Sequence, residues 1–362
     1  MTWRLDVAGL SRPSLIVGGR GALETLGEHA GRLSDAARRA FVVTDENVWA
    51  AQGEPVSALL GAAMPAPPRV LPPGERSKSV GAAEGCWQWL AGLGARRDDV
   101  VVAVGGGVVG DLAGFVAATY LRGVGLWQVP TSLLAQVDSS VGGKVAVDLP
   151  AGKNLVGAFY QPELVVVEPA TLASLPADEF RAGLGEVVKY GLLDQRDLFS
   201  YLEGHVGSVV SRRPEVLDDV VRRCVAYKVE VVRSDEDDRG RRAVLNLGHT
   251  AAHALESGLG YGAISHGAAV GLGLLVALTL SERLVDLSPE VRARTRALLQ
   301  ALGLPVRIAL PTADRLLEAA GRDKKITAAG AGFVCLRAIG EPMWGVPVEP
   351  DTFLQALEEV RE

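Results

Sequence analysis

Short, uninterrupted runs of apolar, β-branched residues constrain the fold of the first half of this chain more than any other feature. They occur at residues 41–44, 100–104 and 164–167. Such runs are typical of strands that are buried on both faces of a parallel sheet. Stretches with apolar residues at helical spacing, such as residues 79–93, lie between them. The alternation predicts an α/β domain with a Rossmann-like parallel sheet over residues 1–176.

The pattern changes after residue 176. Apolar residues now recur at helical spacing, in segments 180–193, 213–233, 249–257, 267–284 and 289–302. β-Branched runs are nearly absent until residues 333–336. The sequence therefore predicts a second, mostly α-helical domain over residues 177–362.

Composition narrows the classes of protein to which the chain can belong. With 48% hydrophobic residues among 362, it has enough apolar material for about two domains. A net charge of −6 disfavours nucleic acid and anionic membranes as partners. Three widely spaced cysteines offer no disulfide framework, and the N-terminal residues have no apolar signal core. The longest apolar stretch, 267–280, is too short and too rich in glycine to span a bilayer. We expect a cytoplasmic enzyme.

A glycine-rich turn follows the run at 100–104. Gly105, Gly107 and Gly110 match the dinucleotide pattern G-x-G-x-x-G, between a predicted strand and an apolar helix. In this context backbone N–H groups can bind a pyrophosphate at the helix N-terminus. The acidic residue expected about 20 positions later is missing, the nearest being Asp138, although Asp45 ends an earlier strand. The turn predicts nucleotide binding with a rearranged order of elements. Tight helix–strand packing is the alternative.

Three of the five histidines fall in one short window. His249 and His253 are four residues apart and share a helix face, and His266 follows. Two histidines and one carboxylate leave an open position on Zn²⁺, as in catalytic zinc sites. The carboxylate is either Glu186 or Glu256, and the spacing does not choose between them. Core or capping histidines are the alternative interpretation.

Lysines interrupt several apolar or glycine-rich segments. Lys144 and Lys153 each follow glycine, and a lysine in such company is a frequent phosphate contact. A solvated loop lysine is the alternative for each. Lys189 lies three residues after Glu186, a spacing that also fits an ordinary surface ion pair on a helix.

Taken together, the motifs resemble the 3-dehydroquinate synthase family of sugar-phosphate cyclases. The resemblance spans residues 43–340 and rests on ordered motifs at 105–111, 130–144, 152–162, 185–191 and 245–253. It implies a homodimeric enzyme with an N-terminal NAD-binding α/β domain and a helical C-terminal domain that carries metal and substrate residues. The implied reaction converts 3-deoxy-D-arabino-heptulosonate 7-phosphate into 3-dehydroquinate and phosphate. It proceeds by transient NAD-dependent oxidation, β-elimination of phosphate, reduction, ring opening and intramolecular aldol closure.

The resemblance also assigns residues to roles. The implied ligands of one Zn²⁺ or Co²⁺ per subunit are Glu186, His249 and His266. The implied NAD contacts are Asp45, Glu75, Lys78, Gly106, Gly107, Val108, Val109, Gly110, Asp111, Thr131, Ser132, Lys144, Lys153, Thr171, Leu172 and Ser174. The implied substrate contacts are Asp138, Lys144, Asn154, Lys189, Lys228, Arg242, Asn246, His253 and either Lys324 or Lys325. Arg122 would reach the phosphate of the substrate in the neighbouring subunit.

Two departures and two alternatives accompany this assignment. Ala268 stands where the family commonly has Glu, and Ala251-Ala252 replaces a more usual Phe-Gly. Neither departure touches an implied metal ligand, so both put the packing around the ligands in doubt and not the activity. A sister cyclase acting on sedoheptulose 7-phosphate is the first alternative, but that substrate has no carboxylate for Lys228 and Arg242 to bind. A metal-dependent polyol dehydrogenase of related fold is the second, and a small neutral polyol needs no set of phosphate-binding cations.

Overall fold

The structure is a computed structural model that describes residues 2–194, 197–260, 262–322 and 332–362. The predicted substrate contacts Lys324 and Lys325 lie outside the described residues. The chain forms two compact units, Met1–Pro176 with Leu217–Asp237 and Ala177–Val216 with Asp238–Glu362. The segment Leu217–Asp237, which the sequence placed in the helical domain, thus belongs to the first unit.

The first unit is built on a seven-stranded sheet and a separate two-stranded sheet. Its strands are β1 (Thr2–Val7), β2 (Ser14–Gly19), β3 (Ala40–Asp45), β4 (Arg69–Leu71), β5 (Val100–Gly105), β6 (Gly125–Pro130), β7 (Lys144–Leu149), β8 (Gly152–Phe159) and β9 (Leu164–Val167). The large sheet has the order β1-β2-β9-β6-β5-β3-β4 and is parallel except for β1, whereas β7 and β8 form an antiparallel hairpin. The predicted strands at 41–44, 100–104 and 164–167 are confirmed as β3, β5 and β9.

Helices cover the sheet and make up most of the second unit. The α-helices among the described residues are α1 (Glu24–Asp35), α2 (Glu46–Leu60), α3 (Val80–Gly92), α4 (Gly107–Thr119), α5 (Ala177–Leu193), α6 (Leu198–Val210), α7 (Pro214–Ser234), α8 (His249–Leu259), α9 (His266–Leu284), α10 (Pro289–Ala301), α11 (Ala313–Arg322) and α12 (Pro350–Leu357). The second unit also contains a hairpin of β10 (Gly332–Leu336) and β11 (Pro342–Pro347).

The central strands of the large sheet are buried on both faces, which explains their uninterrupted apolar sequences. Val101 and Ala103 of β5 point into a cluster with residues of α3 and α4. Val100, Val102 and Val104 point into a second cluster with residues of α1 and α2. Successive strand residues face opposite sides, so both sets must be apolar.

The centre of the second unit is α9. Among the described residues it is the one helix long and apolar enough to cross a membrane by length and composition, and 83% of its most apolar window is buried inside the protein. α5, α8, α10 and α12 pack against it. This burial is that of a core helix, and it leaves the first residue of α9, His266, at the end of the packed bundle.

The parallel strands direct several predicted cofactor residues to one edge of the sheet. The carboxyl ends of parallel strands lie at the same edge, where ligands bind in open α/β sheets. Asp45 ends β3, Gly105 ends β5, Thr131 follows β6 and Glu168 follows β9. The order of these strands, and not their spacing along the chain, therefore brings the residues together.

Candidate active site

In the second unit, Glu186 of α5, His249 of α8 and His266 of α9 converge. One donor atom from each lies within 4.8 Å of the others. Glu186 Oε1 lies 3.2 Å from His249 Nε2 and 3.4 Å from His266 Nε2. Two ligands of a tetrahedral Zn²⁺ at about 2.1 Å are themselves about 3.4 Å apart, so these spacings fit a metal. Both carboxylate oxygens are buried and neither accepts a well-oriented hydrogen bond from a described residue. Oε2 is ion-paired with Lys189, whereas Oε1 faces the two imidazoles, which fits a ligand of an ion at this point.

Glycines next to the three donor residues let the helix backbones approach closely. A Cβ on Gly267, beside His266, would lie 1.5 Å from the carbonyl oxygen of Ala182 in α5. A Cβ on Gly185, beside Glu186, would lie 2.1 Å from the carbonyl oxygen of Gly267. Gly248 precedes His249 with a φ of +79°, and a Cβ there would lie 2.8 Å from a backbone nitrogen of α9. Backbone contact between helices thus positions all three donors.

Buried charges set the protonation of the cluster. Burial opposes ionisation of Glu186, but Lys189, then His249 and His266, outweigh it and hold the pKa of Glu186 well below its usual range. Lys189 forms an ion pair with Glu186, and both side chains are buried. The pair is therefore not the surface pair that its spacing allowed. Burial lowers the pKa of His249 to about 4. A charged carboxylate and a neutral imidazole are the forms that bind metals.

His266 is held by two carboxylates. Burial lowers its pKa, but the neighbouring carboxylates of Glu186 and Glu256 outweigh that effect and raise the pKa to about 10. Glu256 Oε2 lies 3.3 Å from His266 Nδ1, on the opposite side of the ring from Glu186. Glu186, and not Glu256, is therefore the carboxylate that faces Nε2 of both His249 and His266. His253 is exposed beside the cluster, with its ring centre 5.8 Å from that of His249 and 6.3 Å from that of His266.

In the first unit, the glycine-rich turn meets the N-terminus of α4. Gly106 is the N-cap of this helix and Gly107 its first residue. Cβ atoms there would lie 3.3 Å and 3.2 Å from the hydroxyls of Ser132 and Ser139. Gly105 and Gly110 have a packing role, because a Cβ at either would lie within 3.0 Å of a neighbouring side chain. The helix N-terminus at this turn is open and suits a phosphate. The same turn also shows the tight helix–strand packing that the sequence analysis considered as the alternative to nucleotide binding.

The other predicted NAD contacts of this edge already have structural roles. Asp45 accepts a hydrogen bond from the Val48 N–H and so caps α2. Ser132 caps a turn through the Ala135 N–H. Thr171 donates to the Glu168 carbonyl, and Ser174 donates to the Thr171 carbonyl. Of the other members of this set, partly exposed Val108 and buried Val109 lie in α4, and buried Leu172 lies beside Thr171. Thr131 donates its N–H to the carbonyl of Gly105.

Oppositely charged side chains pair along the same unit. Lys78 Nζ lies 2.5 Å from Asp111 Oδ2, and Lys153 Nζ lies 3.6 Å from Glu75 Oε1. Burial raises the pKa of Asp111 even though Lys78 and Lys228 oppose it. Lys228 of α7 donates to the carboxylate and to the carbonyl of Asp138, at 2.5 Å and 2.7 Å. The predicted substrate pair Asp138 and Lys228 therefore lies in the unit that carries the nucleotide edge.

The remaining predicted substrate residues divide between the units. In the first unit, Lys144 is exposed at the start of β7, and Asn154 is exposed with a φ of +56° and donates its N–H to Asp148. Arg122 is exposed in the turn Tyr120–Arg122. In the second unit, buried Arg242 and half-buried Asn246 lie in the short helix Arg241–Asn246, just before His249.

Sequence reasoning missed two features of the site. Glu256 was considered only as a ligand, although its position seven residues after His249 places both on one face of α8. The helix crossings at Gly185, Gly248 and Gly267 were not predicted. Their signal was a glycine adjacent to each donor residue, which the sequence shows but does not explain.

Comparison with known proteins identifies the family. A family model described as 3-dehydroquinate synthase N-terminal matches residues 69–182. A second model, described as 3-dehydroquinate synthase C-terminal, matches residues 183–326. The 3-dehydroquinate synthase of Caulobacter vibrioides is 46% identical over 90% of both chains. This level of identity over most of the length leaves the resemblance seen in the motifs confirmed.

Two solved structures share the whole fold. A 2-deoxy-scyllo-inosose synthase complexed with carbaglucose-6-phosphate, NAD⁺ and Co²⁺ has a TM-score of 0.89 at 25% identity, over 99% of this chain and 100% of the other. The 2-epi-5-epi-valiolone synthase of Streptomyces hygroscopicus, with NAD⁺ and Zn²⁺ bound, has a TM-score of 0.87 at 26% identity, over 99% of both chains. The predicted fold class is confirmed by these neighbours. The chain belongs to the 3-dehydroquinate synthase family.

Proposed function

We propose that this chain is a cytoplasmic carbon–oxygen lyase that converts 3-deoxy-D-arabino-heptulosonate 7-phosphate into 3-dehydroquinate and inorganic phosphate, with NAD and one divalent metal as cofactors. The observation that carries the proposal is the convergence of Glu186, His249 and His266 in a chain of this family. NAD⁺ together with Co²⁺ or Zn²⁺ in the two structural neighbours supports the choice of cofactors.

Glu186, His249 and His266 hold the metal in this proposal. A bound Zn²⁺ or Co²⁺ supplies Lewis-acid polarisation of a substrate oxygen. Lys189 keeps Glu186 ionised inside the protein, since it is the strongest of the charges that lower the pKa of this carboxyl. Its ammonium group also provides a cation beside the metal ligands for a substrate hydroxyl.

The carboxyl edge of the large sheet holds NAD. NAD supplies a reversible hydride acceptor and is returned to its starting form, so the reaction has no net redox change. The N–H groups at Gly106 and Gly107 bind the pyrophosphate, because the open N-terminus of α4 favours anions. Asp45, at the end of β3, accepts hydrogen bonds from a ribose.

Fixed cations and amides bind the two anionic ends of the substrate. Lys228 and Arg242 bind the carboxylate. The groups proposed to bind the phosphate are Lys144, Asn154, Asn246, His253 and Arg122 of a second subunit. Donors held in place before the reaction stabilise the charge that builds up on the departing phosphate oxygens.

Phosphate release measures this activity directly. The purified protein, given NAD and Zn²⁺ or Co²⁺, should release inorganic phosphate from the heptulosonate phosphate without accumulating NADH. The variant His266→Ala should release none. Turnover of sedoheptulose 7-phosphate in place of the heptulosonate would favour a sister cyclase, and steady NADH formation on simple polyols would favour a dehydrogenase.

The active form in this proposal is a homodimer in which Arg122 completes the site of the other subunit. Exposed apolar side chains support a self-association surface near Arg122. Leu155 and Phe159, on the outer face of β8, are 56% and 45% exposed, and Leu121 beside Arg122 is 45% exposed. Gly123 lies against the ring of Tyr160, which places the Arg122 turn next to the end of β8.

Mixed dimers test this sharing of Arg122. We expect Arg122→Ala and His266→Ala to be inactive separately, and a dissociated and reassociated mixture to recover about a quarter of the wild-type activity. In random pairing half of the dimers are mixed, and one of the two sites in each is intact. Phosphate release and sedimentation measure activity and assembly. Failure of a verified mixed dimer to recover activity would contradict the proposed role of Arg122.

A further inference from the structure

Glu256 lies on the same face of α8 as two histidines of the site. His249, His253 and Glu256 are separated by four and then three residues, so they lie above one another on the helix. The Glu256 side chain is 8% exposed, and its Oε2 lies 3.3 Å from Nδ1 of His266, the first residue of α9. The other ring nitrogen, Nε2, lies 3.4 Å from Glu186. Each nitrogen of this imidazole thus has its own carboxylate.

We infer that Glu256 is a positioning residue that orients His266 so that Nε2 faces the metal while Nδ1 keeps its proton. The inference rests on the metal role proposed for His266. A carboxylate that accepts the Nδ1–H of a histidine holds the ring plane and strengthens the imidazole as a ligand once a metal takes the place of the Nε2 proton.

The two histidines of the cluster differ in their need for such support. The His249 side chain is 13% exposed, and its Nδ1 lies 3.3 Å from the Leu247 carbonyl oxygen, a neutral acceptor on the neighbouring backbone. The His266 side chain is 33% exposed at the very start of α9, and glycine follows it. Packing therefore restrains His266 less than His249, and the contact with Glu256 supplies the missing restraint.

Metal affinity tests the inference without relying on catalysis. Full-length protein stripped of metal is titrated with Zn²⁺ against a chelator, and the visible spectrum of the Co²⁺ form is recorded. We expect Glu256→Ala to weaken Zn²⁺ binding by about 10–100-fold and to alter the Co²⁺ spectrum. Glu256→Gln should lose less, since an amide oxygen still accepts the Nδ1–H. Glu282→Gln is the matched control, because Glu282 lies on α9 and pairs with Arg292 away from the cluster.

Each outcome decides the matter. Folding of every variant is checked by the thermal unfolding of the metal-free protein, and the Gln variant serves if the Ala variant is unstable. Wild-type affinity and an unchanged Co²⁺ spectrum in well-folded Glu256 variants would overturn the inference while leaving the proposed function intact. Absence of Zn²⁺ binding by the wild-type protein would overturn the metal site itself, and the inference with it.

Discussion

At the scale of single residues, the site depends on a carboxyl group that stays charged although it is fully buried. Burial raises the pKa of Glu186, and the ammonium group of Lys189 is the largest of the effects that lower it. The sequence showed the pair at a spacing of three in apolar company, but helical spacing is the same for a buried and an exposed pair. Burial depends on the neighbouring helices, so the environment of this pair could not be predicted from the spacing.

The variant Lys189→Met is expected to make metal binding depend on pH. Without the ammonium group, burial raises the pKa of Glu186, and a proton then competes with the metal. Each pH unit below that raised pKa costs about tenfold in ionised carboxylate, so affinity should fall near neutral pH and recover as pH rises. Zn²⁺ titrations across the pH range measure this, with Lys189→Arg as the charge-preserving control. Equal pH dependence in both variants would contradict the assigned role.

A second buried acid, Asp99, supports the fold and not the site. Its carboxylate accepts hydrogen bonds from the backbone and guanidinium of Arg39 and from the Arg96 N–H. Burial opposes its ionisation, but these bonds outweigh burial and lower its pKa. Because the folded pKa lies below the unfolded one, the stabilisation is present above the unfolded pKa and is lost as pH falls through the folded value.

We expect Asp99→Asn to lower the free energy of unfolding by about 2–3 kcal/mol at pH 7. The difference from wild type should begin to shrink below about pH 4, where the carboxyl of the unfolded chain takes up a proton, and should disappear only below the lower pKa of the folded state. Urea unfolding at several pH values gives both numbers. A difference that stays constant across this range would show that the charge of Asp99 contributes nothing.

At the scale of elements, the strands of the sheet centre were predictable and the helix crossings were not. The residues of β3, β5 and β9 are apolar on both faces, and that pattern is local to each strand. The contact between Gly185 and Gly267 joins residues 82 positions apart, and nothing in either helix specifies its partner. Local patterns therefore gave the elements, whereas the packing that brings the donor residues together required the structure.

The variant Gly267→Ala is expected to separate α5 from α9. A methyl group at this position would lie 1.5 Å from a backbone oxygen, which cannot move without shifting the helix, so we expect a loss of at least about 2 kcal/mol and of Zn²⁺ affinity. Gly207→Ala in α6 is the control, because open space surrounds it and alanine should stabilise the helix by about 0.5–1 kcal/mol. Similar unfolding curves for the two variants would contradict the close backbone contact between α5 and α9 at Gly267.

At the scale of the whole molecule, the chain passes between the two units three times, because α7 packs in the first unit. Trp3 donates to Asp218, Lys228 to Asp138 and Gln161 to Glu236, and these contacts hold the segment Leu217–Asp237 along its length. The sequence placed this helix in the second domain, since a helical pattern is the same whichever unit it packs against. The spacing of apolar residues could therefore predict this helix but not the unit in which it packs.

Residues 1–176 expressed alone are expected to fold poorly. They lack α7, so the apolar residues that line a small cavity with Val229 and Val232 would be exposed to solvent. A fluorescent probe of apolar surface should bind this fragment, and adding a peptide of residues 214–237 should reduce the binding and raise the unfolding temperature. Cooperative unfolding of the fragment at the temperature of the intact chain would contradict this expectation.

The glycines beside the donor residues also affect how tolerance to substitution at such a site should be interpreted. If every position were randomised and functional chains selected, Gly185, Gly248 and Gly267 would tolerate as few replacements as Glu186, His249 and His266. Yet none of these glycines supplies a donor atom to the proposed metal. Each is needed because a side chain at its position would separate two helix backbones that are in contact. Intolerance to replacement at this site would therefore report backbone proximity as strongly as it reports chemistry.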